Sequence, residues 1–348
     1  MISNKYIELE NIKLSMENFR FNYIITIHNK ENLIERVLKS VISCSRENSY
    51  IYPVLDGCTD RTESIINNII ANNQQVPIKK VYVPNVHEIL SINAALKIAP
   101  QNERGCNIIL QDDVILEDPE LERKVLAIYN YLGYSSVGSL VFRHGVNIIL
   151  NNKTQEIEET DLIESCYGVG ICNKPLPPQK LIRRMVGVRS PECISCEVVS
   201  KVGLMDENLA PYTYDNHDYS LRCLVSGYKN YVFALKFNSD IEWSGMRNNP
   251  LSEFAKVTQR NRKYLYKKYY DFLKKFPLAK LRNLKTFIPT TIPGINVNRQ
   301  EIKHTKKIYN KKRQKLIGLP RYFFSFLPKV IKIPLQKIYY FVSKTPSI

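Results

Sequence analysis

The opening third of the chain alternates short β-rich runs with segments whose apolar residues recur at helical spacing, and this alternation restricts the fold more than any other feature. Tyr23–Ile27 is the first β-rich run, and Leu33, Ile34, Val37, Leu38, Val41 and Ile42 then trace one helical face. Tyr50–Leu55 reads as a second strand, stopped by Asp56-Gly57, and Ile65, Ile66, Ile69 and Ile70 give the next helix its buried stripe. Asp60 followed by Glu63 has the spacing of a helix capping box. Ile78–Val83, a helix from Ile89 to Ala99 ended by Pro100, Ile108–Leu110, a helix from Glu120 to Tyr131 and Ser136–Phe142 continue the series. Repeated βα units of this length imply an α/β fold, with a mostly parallel sheet flanked by helices.

The second half is less regular. Residues 144–190 mix short strands with Gly and Pro, as loops over a site do. Helices are expected over Pro191–Val202, with Cys193 and Cys196 as structural thiols on one face, and over Asp218–Ser226, ended by Gly227. Beyond about residue 255, Tyr and Lys alternate through 263–275, and a further basic run follows at 306–315. The net charge of +17 is concentrated there: residues 251–348 hold 24 Lys or Arg and three acids, which leaves the first 250 residues mildly acidic. The expected organisation is a globular body over 1–250 and a basic, helical or irregular extension over 251–348. Such an extension seeks a polyanion.

The eight cysteines include one C-x-x-C, Cys193 to Cys196, with no partner set for a zinc site. Buried free thiols and a polar Met1–Arg20 are read as a reducing, cytosolic setting. No uninterrupted apolar run reaches the roughly 20 residues that span a bilayer; the nearest approach, Arg321–Val342, is broken by Pro328, Lys329, Lys332, Pro334 and Lys337.

Chemistry concentrates where strands end. In NIILQDDVIL (107–116), two adjacent carboxylates, Asp112 and Asp113, follow the apolar run Ile108–Leu110. Like charges at the carboxyl end of a buried strand repel unless a cation or ligand joins them, and such ends are where open α/β sheets bind ligands. The plainer reading is a solvated turn ahead of Asp118-Pro119. Asn29 and Glu31 follow the first strand, Asp56 ends the second, and Asn93 lies in the third helix. A nucleotide needs a few fixed polar partners, and its diphosphate needs a cation or helix N-termini.

These residues resemble the motifs of family 2 glycosyltransferases of GT-A fold, over roughly residues 20–245. The family's first strand ends Pro-Thr-Tyr-Asn-Glu, here Thr26-Ile27-His28-Asn29-Lys30-Glu31; its Asp-Asp-Gly-Ser-Thr-Asp is here Leu55-Asp56-Gly57-Cys58-Thr59-Asp60. Its Ala-Arg-Asn is Ser91-Ile92-Asn93, and its Asp-X-Asp metal motif is Gln111-Asp112-Asp113. Its Glu-Asp-X-Asp-Leu-X-X-Arg segment is Asp215-Asn216-His217-Asp218-Tyr219-Ser220-Leu221-Arg222. The resemblance implies a donor half over about 20–135 and an acceptor half over about 136–250. It implies donor contacts from Thr26, His28, Asn29, Glu31, Asp56, Asn93, Gln111 and Asp112, with Mn²⁺ or Mg²⁺ on Asp113. The donor would be a nucleotide sugar, a UDP-sugar favoured, and transfer to a glycan or lipid-linked acceptor would invert the anomeric carbon.

Two departures matter. Gln111 stands in place of the first metal-motif Asp, so one protein carboxylate on the metal is expected. Asn216 stands where the family's base Asp would be, and an amide cannot take a proton at neutral pH, so the base is expected at Asp215 or Asp218, with a lean to Asp215. His217 reads equally as a tuner of these acids or as a surface residue; Arg222 as the partner of a nearby carboxylate; Trp243 as a core or sugar-stacking aromatic; Arg183-Arg184 as a solvated loop.

Interleaved Tyr, Phe, Leu and Lys in the tail suit an anionic membrane surface, and hence a cytoplasmic enzyme peripheral on the inner face of the membrane. A helical appendage for homo-oligomerisation is a second reading, and nucleic acid is not expected, for want of a binding motif. Two rivals for the whole chain are a sugar nucleotidyltransferase, which needs a Gly-rich phosphate loop that does not follow Ile27, and a non-catalytic glycan- or nucleic-acid-binding protein with Gln111 and Asn216 as marks of decay.

Overall fold

The computed structural model describes residues 14–143, 145–150, 157–159, 171–176, 179–187, 191–239, 251–275 and 290–295. The expected alternation is present: β1 (Arg20–Ile27), α1 (Ile34–Cys44), β2 (Ser49–Asp56), α2 (Thr62–Asn72), β3 (Val81–Val83), α3 (His87–Ile98) and β4 (Gly105–Gln111). There follow β5 (Ile115–Leu116), α4 (Leu121–Leu132), β6 (Val137–Phe142), β7 (Gly145–Leu150), β8 (Ile157–Glu159), β9 (Ile171–Pro175) and β10 (Lys180–Arg184). Then come β11 (Glu192–Ser195), α5 (Cys196–Val202), α6 (Asp215–Val225), β12 (Lys229–Phe233), β13 (Phe237–Asn238), α7 (Leu251–Lys268), α8 (Tyr270–Lys275) and β14 (Thr290–Thr291).

Nine of these strands form one sheet in the order β14-β10-β12-β6-β11-β4-β1-β2-β3, and β8-β7-β9 form a separate small one. The β4-β1-β2-β3 half is wholly parallel. Beyond it β11 runs antiparallel between β4 and β6, and β6 pairs parallel with β12. Strand alternation sends Phe21, Tyr23, Ile25 and Ile27 into a core beneath α1 and α4, with Val37, Leu38, Val41, Val125 and Ile128. Ile24 and Ile109 face the opposite way, toward Ile89 and Ile92 of α3 and Val198 of α5. Each such fully buried aliphatic side chain contributes roughly 1.5–3 kcal/mol. The same alternation puts the register partners Thr26 and Gln111 on the α3 face.

Three expectations are corrected. Pro191–Val202 is not one helix: Glu192–Ser195 fills the gap between β4 and β6 as a strand, and α5 starts only after Ser195, whose Oγ caps it by accepting the Val198 N–H at 3.1 Å. Cys193 is therefore a strand residue and Cys196 the first residue of a helix, both buried. The capping box at Asp60 and Glu63 does not form. Asp60 instead accepts the N–H groups of Thr62 and Glu31, while Glu63 bonds Lys80 and Tyr82.

The boundary expected at residue 250 does not coincide with a break in packing. Asn261 of α7 is fully buried and its amide donates to the carbonyls of Leu209, Tyr212 and Thr213 at 2.8, 2.9 and 3.1 Å. Phe254 stacks on Tyr212, and β14 extends the main sheet beside β10. Among the described residues, no helix is long and apolar enough to cross a membrane. Trp243 and the basic run at 306–315 lie outside the described residues, as do residues 321–342. Cys44, Cys58, Cys106, Cys193, Cys196 and Cys223 are free thiols.

Candidate functional site

The residues that follow β1, β2 and β4 meet at one edge of the sheet. β1 runs out at Ile27 because the next residue turns toward its neighbours: the His28 N–H donates to Asp112 Oδ2 at 3.0 Å, and its Nδ1 donates to the Asp56 carbonyl at 2.6 Å. Asn29 then takes a left-handed conformation at φ 48°, which Asn tolerates better than most residues. The loop after β1 is laced to the loop after β2. Asn29 Oδ1 accepts the Thr59 N–H, the Lys30 N–H donates to Thr62 Oγ1, and Glu31 accepts both the N–H and the guanidinium of Arg61. These Arg61 bonds hold the Glu31 carboxyl below its ordinary range.

Asp56 ends β2 fully buried, and its Oδ1 accepts the Val86 N–H at 2.5 Å. The chain can turn away immediately afterwards because residue 57 is Gly, at φ 59°. A Cβ there would sit 2.7 Å from the Cβ of Asn85. Asn85 and His87 are themselves at positive φ, so the segment that wraps Asp56 and opens α3 is held in a sparsely populated backbone conformation.

At the end of β4, half-buried Gln111 donates its Nε2 to Glu88 Oε1 of α3 at 2.9 Å. Lys30, only 6% exposed, brings its Nζ to 3.7 Å from Asp112 Oδ1. Burial pushes the Asp112 carboxyl up to about 6; Lys30 and the His28 N–H oppose this, while Asp113 and Glu88 reinforce it. Asp113 is 5% exposed. Carboxylate and amide oxygens of this kind suit a hard divalent cation. Among the described residues no group of three His, Cys, Asp or Glu could hold a metal unaided.

The acceptor-side motif opens α6. Thr213 and Tyr214 precede it at positive φ, and Asp215 follows, 3% exposed. This loop is tied to the start of α3: the Ile89 N–H reaches the Pro211 carbonyl, and His87 packs edge-on against Tyr212. Asn216 Nδ2 donates to Glu192 Oε2 of β11 at 2.7 Å, and the other oxygen of this fully buried glutamate accepts Ser139 Oγ at 2.6 Å. His217 is buried against Tyr214, and burial lowers its imidazole to about 4, outweighing the pull of Asp215.

Asp218, the second expected base, has both carboxylate oxygens engaged by protein groups. It is fully buried, and its oxygens are taken by Arg222 Nε at 2.8 Å, Lys268 Nζ at 2.6 Å and Tyr269 Oη at 2.7 Å. Arg222 thus finds the carboxylate partner expected of it. Asn93 also stands apart from the donor edge. It is 1% exposed; its Nδ2 donates to the Met205 carbonyl and Glu207 and its Oδ1 accepts the Met205 N–H, clasping α3 to the segment after α5. Arg183 is exposed on β10 and Arg184 is buried.

The structure thus brings Thr26, His28, Asn29, Glu31, Asp56, Gln111, Asp112 and Asp113 to one edge, with Asp215 opening the helix that is tied to it. Sequence reading missed Lys30, Glu88 and Glu192, whose partners are distant in the chain. It also missed α7 as the clamp on the loop before Asp215; the signal available was Leu265 and Tyr269, spaced as one buried stripe within the Tyr/Lys run.

No curated protein matches the chain. Among solved structures, that of GalNAc-T7 with UDP, GalNAc and Mn²⁺ is similar at 16% identity over 76% of this chain and 54% of its own, with a TM-score of 0.51. The chain thus spans about half the length of that protein. Mannosyltransferase PcManGT from Pyrobaculum calidifontis, in complex with GDP-Man and Mn²⁺, is similar at 11% identity over 93% of this chain and 86% of its own, with a TM-score of 0.48. TarS residues 1–349 from S. aureus, in complex with UDP-GlcNAc, is similar at 13% identity over 93% and 90%, with a TM-score of 0.49. The family model described as "Glycosyl transferase family 2" matches residues 23–199, just over half of the chain. With strand ends, fold and family model in agreement, the chain belongs to glycosyl transferase family 2 and is a glycosyltransferase of GT-A fold.

Proposed function

We propose that this glycosyltransferase is an inverting enzyme that moves a sugar from a nucleoside-diphosphate sugar, a UDP-sugar by preference, to a hydroxyl of a glycan or lipid-linked acceptor. The observation that carries the reading is the convergence of Asp56, Asp112 and Asp113 at one sheet edge, with the Asp215 helix tied to the same loops. GalNAc-T7, which shares the fold, is a structure with UDP and Mn²⁺ bound, and this supports the choice of donor and metal.

In this reading Asp56 and the Val86 segment receive the base. Asp113, helped by the oxygens of Asp112 and Gln111, would hold Mn²⁺ or Mg²⁺, which neutralises charge on the departing diphosphate when bound. Lys30 adds a fixed positive charge beside Asp112. Asp215 takes the proton of the acceptor hydroxyl as that oxygen bonds the anomeric carbon and the bond to the diphosphate oxygen breaks on the opposite face. Such base assistance is worth about 10²–10⁴ in rate. His217 is neutral at pH 7 and places no cation beside that base.

The basic segment 300–348 suits attachment to an anionic leaflet, and a cytoplasmic enzyme held at the inner membrane face accounts for a lipid-linked or surface-glycan acceptor.

Thermal unfolding with a panel of nucleoside diphosphates and nucleotide sugars, with and without Mn²⁺, tests the assignment. One nucleotide should raise the melting temperature selectively and more so with the metal, and Asp113→Ala should remove the metal-dependent part. A panel without any shift would overturn the reading.

A further inference from the structure

Helix α7 has two opposite faces. The inner one holds the loop before Asp215: Asn261 donates to the carbonyls of Leu209, Tyr212 and Thr213, Phe254 stacks on Tyr212, and Leu265 is fully buried in the core on the α3 side of the sheet. On the outer one, Lys256, Arg260, Lys263 and Lys267 recur at i, i+4, i+7 and i+11. At 3.6 residues per turn they share one side within about 60° of arc, turned away from Asn261 and Leu265. All four are exposed. Arg260 also reaches back to the Ala210 carbonyl of the clamped loop. Glu253 is the single acid of the helix.

The shape of this row says what it meets. A straight line of cations on a convex helix touches a flat sheet of anions along its whole length of about 16 Å, whereas a small ligand would meet one or two of them. Aromatic residues adjoin the row, as they do where a protein rests at a bilayer interface: Tyr270, 61% exposed, stands just beyond the end of α7, and Tyr266 lies along it beneath the Arg262 guanidinium. The apolar side of α7 is already packed on the protein body, so the contact is electrostatic and superficial, without insertion of the helix.

We propose that the outer face of α7 lies flat on an anionic leaflet through Lys256, Lys263 and Lys267, and so sets the orientation in which the enzyme meets its acceptor. This deepens the membrane reading above and rests on it: residues 300–348 hold the chain at the surface, and α7 decides which side faces it. The loop that leads into Asp215 sits on the inner side of the same helix, one helix diameter of about 10 Å from the lipid headgroups. A hydroxyl on a lipid-borne acceptor then approaches the base from the membrane side. Each lysine at such a surface is worth about fivefold in partitioning, so three of them impose an orientation without anchoring the chain by themselves.

The test is lysine acetylation of the full chain, free and bound to phosphatidylcholine vesicles containing phosphatidylglycerol, read residue by residue by mass spectrometry. Lys256, Lys263 and Lys267 should react about fivefold more slowly on the vesicles, while Lys39, 66% exposed on α1 at the opposite face of the sheet, should keep its rate. The variant with Lys256→Gln, Lys263→Gln and Lys267→Gln should partition onto these vesicles about a hundredfold more weakly than the wild type. The charge-matched variant with Arg36→Gln, Lys39→Gln and Arg123→Gln, on α1 and α4, should differ from wild type by under about threefold. Vesicle binding with the α7 lysines unprotected, or protected no better than Lys39, would overturn the orientation and leave membrane attachment standing. Protection of the same lysines by dextran sulfate, in protein whose α7 the vesicles leave reactive, would overturn it in favour of a polyanionic glycan. A full chain that does not bind the vesicles at all would instead bring down the membrane reading beneath it.

Discussion

Asn216 and Glu192 form a buried amide–carboxylate pair, 2.7 Å from Nδ2 to Oε2, at the position where the family motif has an acid. The partner explains the amide. An aspartate at 216 would put two carboxylates at hydrogen-bond distance in a site from which water is excluded, and one would have to hold a proton. Asn216→Asp should therefore destabilise the protein by about 1–3 kcal/mol, the cost of a spoiled buried polar contact. Adding Glu192→Gln should restore a single charge across the pair and recover most of the loss. Urea unfolding of the two single variants and the double variant measures this as a coupling energy.

Asp215 and Asp218 are separated by two residues and by their surroundings. Asp215→Asn should leave folding and nucleotide binding intact while transfer falls by about 10²–10⁴. Asp218→Asn breaks contacts with Arg222 and Lys268 at a fully buried site, and should cost about 3–5 kcal/mol of stability. Turnover and urea midpoints measured on both variants check the assignment. Equal loss of turnover at wild-type stability for both would refute it.

Glu122 lies on the other face of the sheet, 1% exposed, and gives a stability signal of its own. Its Oε1 accepts Tyr23 Oη and Ser49 Oγ, while Oε2 is buried without a hydrogen bond. Burial pushes this carboxyl from 4.5 to about 7. The folded state therefore keeps the proton longer than the unfolded one. The contribution is fully present below about pH 4.5 and is lost as pH rises through 7, an effect of about 3 kcal/mol. Glu122→Gln should remove this pH dependence and make the variant the more stable protein at pH 8. Chemical unfolding at pH 5 and pH 8 reads the difference directly.

Residues 300–348 carry twelve Lys or Arg and one acid, Glu301. At an anionic leaflet each basic residue adds about 1 kcal/mol. Deleting them leaves α7 and its bonds to the Asp215 loop in place, so the shortened chain should fold, bind nucleotide and fail to sediment with vesicles containing anionic lipid. Undiminished sedimentation would argue against the membrane reading.

What the sequence determined by itself is the frame and its chemistry. Apolar runs of period two, helical stripes and stops such as Asp56-Gly57 and Gln111-Asp112-Asp113 are local patterns, and they placed the strand ends within a residue or two. What only the tertiary structure decided is which polar group meets which. Glu192–Ser195 lacks a local mark of strand over helix and becomes β11 because β4 and β6 leave a gap there. Asp218 looks as able a base as Asp215 until α7 and the residue after it, some fifty residues on, deliver Lys268 and Tyr269 to it. Glu88 and Glu192 acquire their meaning from amides more than twenty residues away. The physical reason is common to all of these: periodicity and capping are written over a few residues, whereas the partner of a buried charge is chosen by packing between elements far apart in the chain.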